Sequence, residues 1–257
     1  MEVRGRYRRR SCELPPLTLH FNKEELKRRG YGRHNDFKLV TQCSNNPEGE
    51  DALLREYLAY QMYAALNPQA AYRSQLLRIT YLNSANGSRQ EGYAILLEDC
   101  DELQDRLNAD NCKGAYNVSQ DSLINASGVV LFEYMIGNTD FSFNLVRNLK
   151  LLRRSDGMYL AIPYDFDFSG LVNAKYAVPN VDYHQEKITD RIWVWEYPVA
   201  ADLTAEREHY LAHKKGLLEL VHNASYLAAS SRQEIKTYLN GFFIDLKANK
   251  IPVFRGR

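Results

Sequence analysis

Ile162-Pro163-Tyr164-Asp165-Phe166-Asp167-Phe168-Ser169-Gly170 places two carboxylates at the end of an apolar strand. Upstream, Gly137-Asn138-Thr139-Asp140-Phe141-Ser142-Phe143-Asn144 sets an Asp ahead of Asn residues in a loop that follows a helix. On a strand, residues i and i+2 project to one face. Asp165 and Asp167 would then stand side by side and repel unless a cation neutralises them. Mg²⁺ typically takes one or two carboxylates and completes its shell with phosphate oxygens and water. Asn144 and Asn148 follow Asp140, and an Asn adds a metal oxygen without further negative charge. The plainer alternatives are acids that cap the turn at Ser169-Gly170, and a helix end capped by Asn138, Thr139 and Asp140.

Outward from these motifs the chain divides by texture. Residues 1–10, 14–21 and 36–43 read as strands, the second from the alternation of Leu17, Leu19 and Phe21. Residues 45–51 carry turn residues and read as a loop. A helix over 51–66 follows from Leu54, Leu58, Met62 and Leu66 on one face. Residues 73–83 and 91–98 read as two strands joined by a hairpin loop. Beyond residue 100, helices are expected over 101–108, 119–136, 205–213, 217–224 and 230–247. A hairpin over 145–152 and 158–162 turns at Asp156-Gly157, and 171–190 reads as a long loop. The expected class is α+β, with an antiparallel sheet and one helix in residues 1–100 and a mainly helical part in 101–257.

Composition narrows the classes. The 257 residues carry 33 Lys and Arg against 32 Asp and Glu, a net charge of +1, so no whole-molecule field argues for nucleic acid or a membrane surface. No apolar run approaches the roughly 20 residues that span a bilayer, and no signal-peptide core lies near Met1. Arg4, Arg6, Arg8, Arg9 and Arg10 crowd the start of the chain, either as a solvated strand face or as a phosphate-facing surface. Cys12, Cys43, Cys100 and Cys112 contain no CxxC pair, which argues against structural zinc. Cys12–Cys43 and Cys100–Cys112 are the most local disulfides, with buried thiols as the alternative. The six histidines form no metal spacing.

Lys38 lies between Phe37 and Leu39 in the third strand, where it would either be solvated on an exposed face, with Glu56 at the surface, or face a cleft and hold α- and β-phosphates. Glu56 on the following helix would anchor it, with Glu50 as second choice. Glu98 ends the strand over 91–98, which in a kinase layout is where a nucleotide base would meet a hinge. No Gly-x-Gly-x-x-Gly loop is present, and Arg4-Gly5-Arg6 with Arg8-Arg9-Arg10 is read in its place.

At these residues the chain resembles the CotH-type and related atypical kinases, secreted or spore-associated bacterial proteins with a divergent protein-kinase-like fold. The resemblance rests on Val3-Arg4-Gly5, Leu54-Arg55, residues 93–98, Asn138-Thr139-Asp140 with its trailing Asn, and Pro163-Tyr164-Asp165-Phe166-Asp167, over residues 1–175. The chain is more similar still to a group of uncharacterised bacterial proteins sharing the Pro-Tyr-Asp-Phe-Asp stretch. It departs from the CotH pattern where Leu14-Pro15-Pro16 replaces Lys residues. The resemblance implies a two-lobed protein-kinase-like fold binding ATP with Mg²⁺ or Mn²⁺. Asp140 would be catalytic, with Lys38 and Glu56 in support. Asp165, Asp167 and Asn144 or Asn148 would hold metal; Lys38, Arg4, Arg8 and Glu98 would hold nucleotide. The acceptor would be a hydroxyl of a protein or small molecule. A catalytically inactive kinase-fold scaffold, and a metal-dependent glycosyltransferase or nuclease using the Asp165/Asp167 pair, are the competing expectations. An extracytoplasmic setting is expected from the resemblance and from a bonded Cys12–Cys43.

Overall fold

The computed structural model describes residues 1–5, 7–32, 34–110 and 114–253. Arg6 and Cys112, both part of the readings above, lie outside the described residues. The fold is α+β. An antiparallel sheet in the order β1-β2-β3-β5-β4 is formed by β1 (Glu2–Val3), β2 (Leu17–His20), β3 (Asp36–Thr41), β4 (Ser74–Leu82) and β5 (Arg89–Leu97). A smaller antiparallel sheet joins β6 (Ala109–Asp110), β7 (Leu149–Arg154) and β8 (Tyr159–Pro163). The helices are α1 (Arg8–Ser11), α2 (Lys23–Arg28), α3 (Pro47–Leu66), α4 (Cys100–Leu107), α5 (Ala126–Ile136), α6 (Thr204–Asn223) and α7 (Ala229–Lys247). Among the described residues no helix is long and apolar enough to cross a membrane.

α3 packs on the large sheet and on α6. Leu54, Leu58, Met62 and Leu66 are buried as their spacing requires. The helix begins at Pro47 rather than at residue 51, because Asn46 caps it. The Asn46 side chain accepts from Gly49 N–H at 2.8 Å, and Pro47 fits the first turn, where no N–H is needed. The stretch read as a loop was therefore a helix start. Leu58, Met62, Phe132, Phe166, Leu239 and Phe242 meet in one core that joins α3, α5 and α7.

Three further expectations are corrected, and one helix was missed. Residues 1–10 are not one strand: after β1 the chain turns into α1, with Ser11 N–H and Cys12 N–H closing on Tyr7 and Arg8 carbonyls. The Cys12–Cys43 disulfide joins the end of this turn to the segment after β3. α5 starts at Ala126, because the Asn125 amide is engaged on β8. It donates to Ala161 O at 2.8 Å and accepts from Ala161 N–H at 2.9 Å. Residues 205–224 form one helix through Gly216, where an added Cβ would meet open space. α2 was not anticipated, although Asn22 with Glu25 is a helix-start signal: Asn22 accepts from Glu25 N–H at 3.0 Å. Cys100 is also disulfide-bonded, and its expected partner Cys112 lies outside the described residues.

Candidate functional site

The two sequence motifs are stapled together. α5 ends at Gly137, which adopts the left-handed conformation with φ 70°. Gly137 O then accepts from Gly170 N–H at 3.0 Å, Ile136 O accepts from Leu171 N–H at 2.8 Å, and Asn138 pairs with Ser169 in an isolated bridge. A Cβ on either glycine would collide with the Tyr238 hydroxyl from α7, so the close approach of the loops depends on both. Below them Asn138 donates to Glu133 at 2.9 Å, and burial pushes the Glu133 carboxyl up to about 8.

Asp140 leaves this junction toward solvent. Its carboxylate pairs with Arg147 Nε at 3.2 Å. The Asn148 side-chain amide donates to Asp140 O at 2.7 Å and to its Oδ2 at 3.0 Å. Burial raises the Asp140 pKa; Arg147 and Asn148 oppose that rise, and the charge of Asp165 adds to it. Asn148 thus sits with Asp140, whereas Asn144 does not. Asn144 is exposed, donates its N–H to Glu196 at 3.0 Å, and lines a different cavity.

The Asp165/Asp167 pair lies just past β8, not on it. Asp165 has φ 67°, a left-handed conformation unusual for a residue other than Gly or Asn. Its N–H donates to the buried Tyr60 hydroxyl on α3 at 2.9 Å. Phe166 anchors the turn, packing 4.8 Å from Tyr60 and 5.4 Å from Phe132, ring centre to ring centre. The two carboxylates share a cleft through this turn rather than through strand alternation. Asp167 is buried and accepts from the Tyr176 hydroxyl at 2.9 Å. Burial, and then Asp165, push it up to about 7 against the pull of Arg8 and Tyr176.

Glu56 does not meet Lys38. Its cation is Arg8, whose Nη1 lies 3.7 Å from Glu56 and 4.0 Å from Asp167. Arg8 also donates to the Thr41 carbonyl. Burial works against the guanidinium's charge, but Tyr176, Asp167 and Glu56 outweigh it and raise its pKa. Glu56 is fully buried and its pKa is raised by that burial and by Asp167. Glu56 Oε1 and Arg8 Nε and Nη1 have no hydrogen-bond partner among the described residues.

Lys38 projects beside the cleft between two rings, 4.9 Å from the centre of Tyr164 and 5.2 Å from that of Tyr72. It pairs across the sheet with Leu97, which lines the cleft. Burial first, then Arg4 and Lys150, push its pKa down to about 7. Lys150 lies 5.7 Å from the centre of the same Tyr164 ring, so two lysines share it. Glu98 is spent elsewhere: it pairs with Arg106 at 2.6 Å and accepts from Arg73 N–H at 2.8 Å.

The resulting cleft holds about 530 Å³ and brings together Arg4, Arg8, Asp140, Asn148, Asp165 and Asp167. Lys38 borders it, Glu56 lies beneath it, and Glu98 and Asn144 stand apart. Sequence reasoning missed Tyr60, Arg147, Lys150 and Tyr176. Arg147 next to Asn148 was the one readable signal among them. No three His, Cys, Asp or Glu side chains among the described residues are grouped to hold a metal by themselves. The donor set still suits Mg²⁺, which needs only one or two carboxylates beside substrate phosphates. No family model matches the chain, and no curated protein matches its sequence.

Proposed function

We propose that the chain is an atypical, kinase-like phosphotransferase, with the sheet of residues 1–100 and the helical part of 101–257 acting as two lobes around the cleft. The observation that carries this reading is the meeting of both sequence motifs in one cleft: Asp140, Asn148, Asp165 and Asp167 line it together with Arg4 and Arg8, and Lys38 and Lys150 approach the ring of Tyr164, another lining residue. A cation cluster beside an aromatic ring suits a nucleotide polyphosphate, and an acid–amide cluster suits the divalent cation that accompanies it. Asp165, Asp167 and Asn148 would hold Mg²⁺ or Mn²⁺, which supplies charge neutralisation to ATP. Asp140, set by Arg147 and Asn148, would orient the acceptor hydroxyl. Positioning and electrostatics would supply most of the rate. The resemblance to CotH-type kinases points the same way.

One observation favours a second reading, an inactive kinase-fold scaffold. Glu56 is engaged by Arg8, leaving Lys38 without the carboxylate anchor that kinases use.

Thermal shift with ATP, ADP and a nucleotide sugar, each with and without Mg²⁺ or Mn²⁺, separates these readings on native protein and Asp165→Asn. Asn tolerates the left-handed backbone, so the variant isolates the charge. Ligand at 100-fold its Kd adds about 2.7 kcal/mol. A metal-dependent ATP shift lost in Asp165→Asn supports the kinase reading. A shift with the nucleotide sugar alone replaces it with sugar transfer. No shift leaves the scaffold.

A further inference from the structure

Lys38 is a cation that the fold leaves without an acid. β3 pairs it directly with Leu97 of β5. Directly opposed residues share a sheet face, and Leu97 lines the cleft. Lys38 is half-buried, and its Nζ stands 4.9 Å from the centre of Tyr164, itself a lining residue, and 5.2 Å from that of Tyr72. The amine thus meets the cleft from between two rings. Among the described residues no acid pairs with it. Glu56 is taken by Arg8, and Asp99 accepts from Asp36 N–H at 3.3 Å and from Asp101 N–H at 3.1 Å.

What surrounds the amine disfavours its charge. Burial acts first, then Arg4 and Lys150; Asp165 and Asp99 pull the other way, each more weakly than either cation. Ring faces attract an ammonium, but here they also take the place of water. Arg4 bears on Lys150 as well, adding to the burial that pushes that lysine down. A lysine desolvated in a pocket or set beside another cation is an activated nucleophile, because both effects favour the uncharged amine. Lys38 has both. The same neighbours define its ligand. Arg4 lines the cleft and Lys150 shares the Tyr164 ring, so an incoming carboxylate or phosphate would neutralise them. The electrophile that an uncharged amine attacks without a cofactor is a carbonyl carbon.

We propose that Lys38 is a nucleophilic amine that forms an imine with small aldehydes carrying a carboxylate or phosphate. Its nitrogen lone pair adds to the carbonyl carbon. The carbonyl oxygen takes the two amine protons and leaves as water, and a C=N bond remains. Water reverses the step. The inference does not depend on the phosphotransferase reading; where both hold, nucleotide and aldehyde compete for one cleft.

The test is reductive trapping on the native protein. Samples are incubated with 4-carboxybenzaldehyde or with its neutral methyl ester, reduced with cyanoborohydride, and mapped by peptide mass spectrometry. Lys215, 89% exposed on α6, is the internal reference. Near neutral pH Lys38 is expected to label at least about tenfold faster than Lys215, because an ordinary lysine is only about 0.1% uncharged there. Lys38 labelling should level off above about pH 7, and should run faster with the acid than with the ester, whose carbonyl is intrinsically the more reactive. Lys150→Gln should raise the pH at which it levels off and weaken the preference for the acid. Lys38 labelled no faster than Lys215, or equally by acid and ester, overturns the proposal. Labelling that ATP with Mg²⁺ slows at Lys38 but not at Lys215 supports both readings. Fast labelling that ATP leaves untouched upholds the amine and counts against nucleotide in the cleft; a nucleotide-induced thermal shift with Lys38 unreactive does the reverse.

Discussion

Arg8 Nη1 stands 3.7 Å from Glu56 Oε2 in the floor of the cleft, and both side chains are buried. The same guanidinium lies 4.0 Å from Asp167, so one cation serves two acids that are distant in sequence.

Removing that cation leaves two buried carboxylates unbalanced. Arg8→Ala is expected to lower stability by about 3–5 kcal/mol in urea unfolding, the range for stripping one partner from a buried pair. Arg8→Ala combined with Glu56→Ala should lose less than the sum of the two single variants. Strict additivity would contradict the pairing.

The Cys12–Cys43 bond closes a loop of sequence separation 31 at the end of the helix that carries Arg8. Cys12→Ser with Cys43→Ser should cost about 3–4 kcal/mol by the loop-entropy relation. Reductant also opens the Cys100 disulfide, so it should lower the Tm of native protein to that of the double variant or below it. If the metal-dependent nucleotide shift survives reduction intact, Arg8 does not need the crosslink to reach its place.

Titration at the cleft should be visible in stability. Asp167 is pushed up to about 7 from the ordinary carboxylate range, so the folded chain keeps a proton that the unfolded chain has released. Relative to Asp167→Asn, native protein should lose stability as pH climbs from about 4 through 7. Lys38, pushed down to about 7, has the opposite dependence: relative to Lys38→Met, native protein should gain stability as pH rises from 7 toward the ordinary lysine range. Tm differences between native protein and each variant, measured across this window, check both signs.

Two glycines separate obstacles made of side chain from obstacles made of backbone. Ala at Gly137 would meet the Tyr238 hydroxyl at φ 70°, whereas Ala at Gly170 would meet the hydroxyl at 2.6 Å and Ile188 O at 2.8 Å. Each substitution should cost about 1–3 kcal/mol from overpacking. Adding Tyr238→Phe should restore part of the loss at Gly137 and little at Gly170. Calorimetry on the two pairs of variants decides.

Much of this was readable in the residues, unevenly. Leu54, Leu58 and Met62 announced α3 by spacing, and Lys38 showed itself as a cation among apolar neighbours. Asp140 and Asp165 were visible as acids beside turn residues. Arg8 was seen as one of a crowd, because nothing local distinguishes an arginine on a strand face from one folded under a sheet by a distant disulfide. Glu56 was assigned to Lys38 rather than Arg8 for the same reason: pairing is decided by chain geometry over tens of residues. The Asp165 turn defeated strand alternation because Tyr60, far away in sequence, bonds its N–H.

Glu56 and Tyr60 are one turn apart on α3, and each grips a different part of the cleft: the Arg8 side chain and the Asp165 backbone. Both grips sit on one helix whose Leu58, Ala59 and Met62 are fully buried, so the same packed element sets the place of the arginine and the place of the aspartate turn.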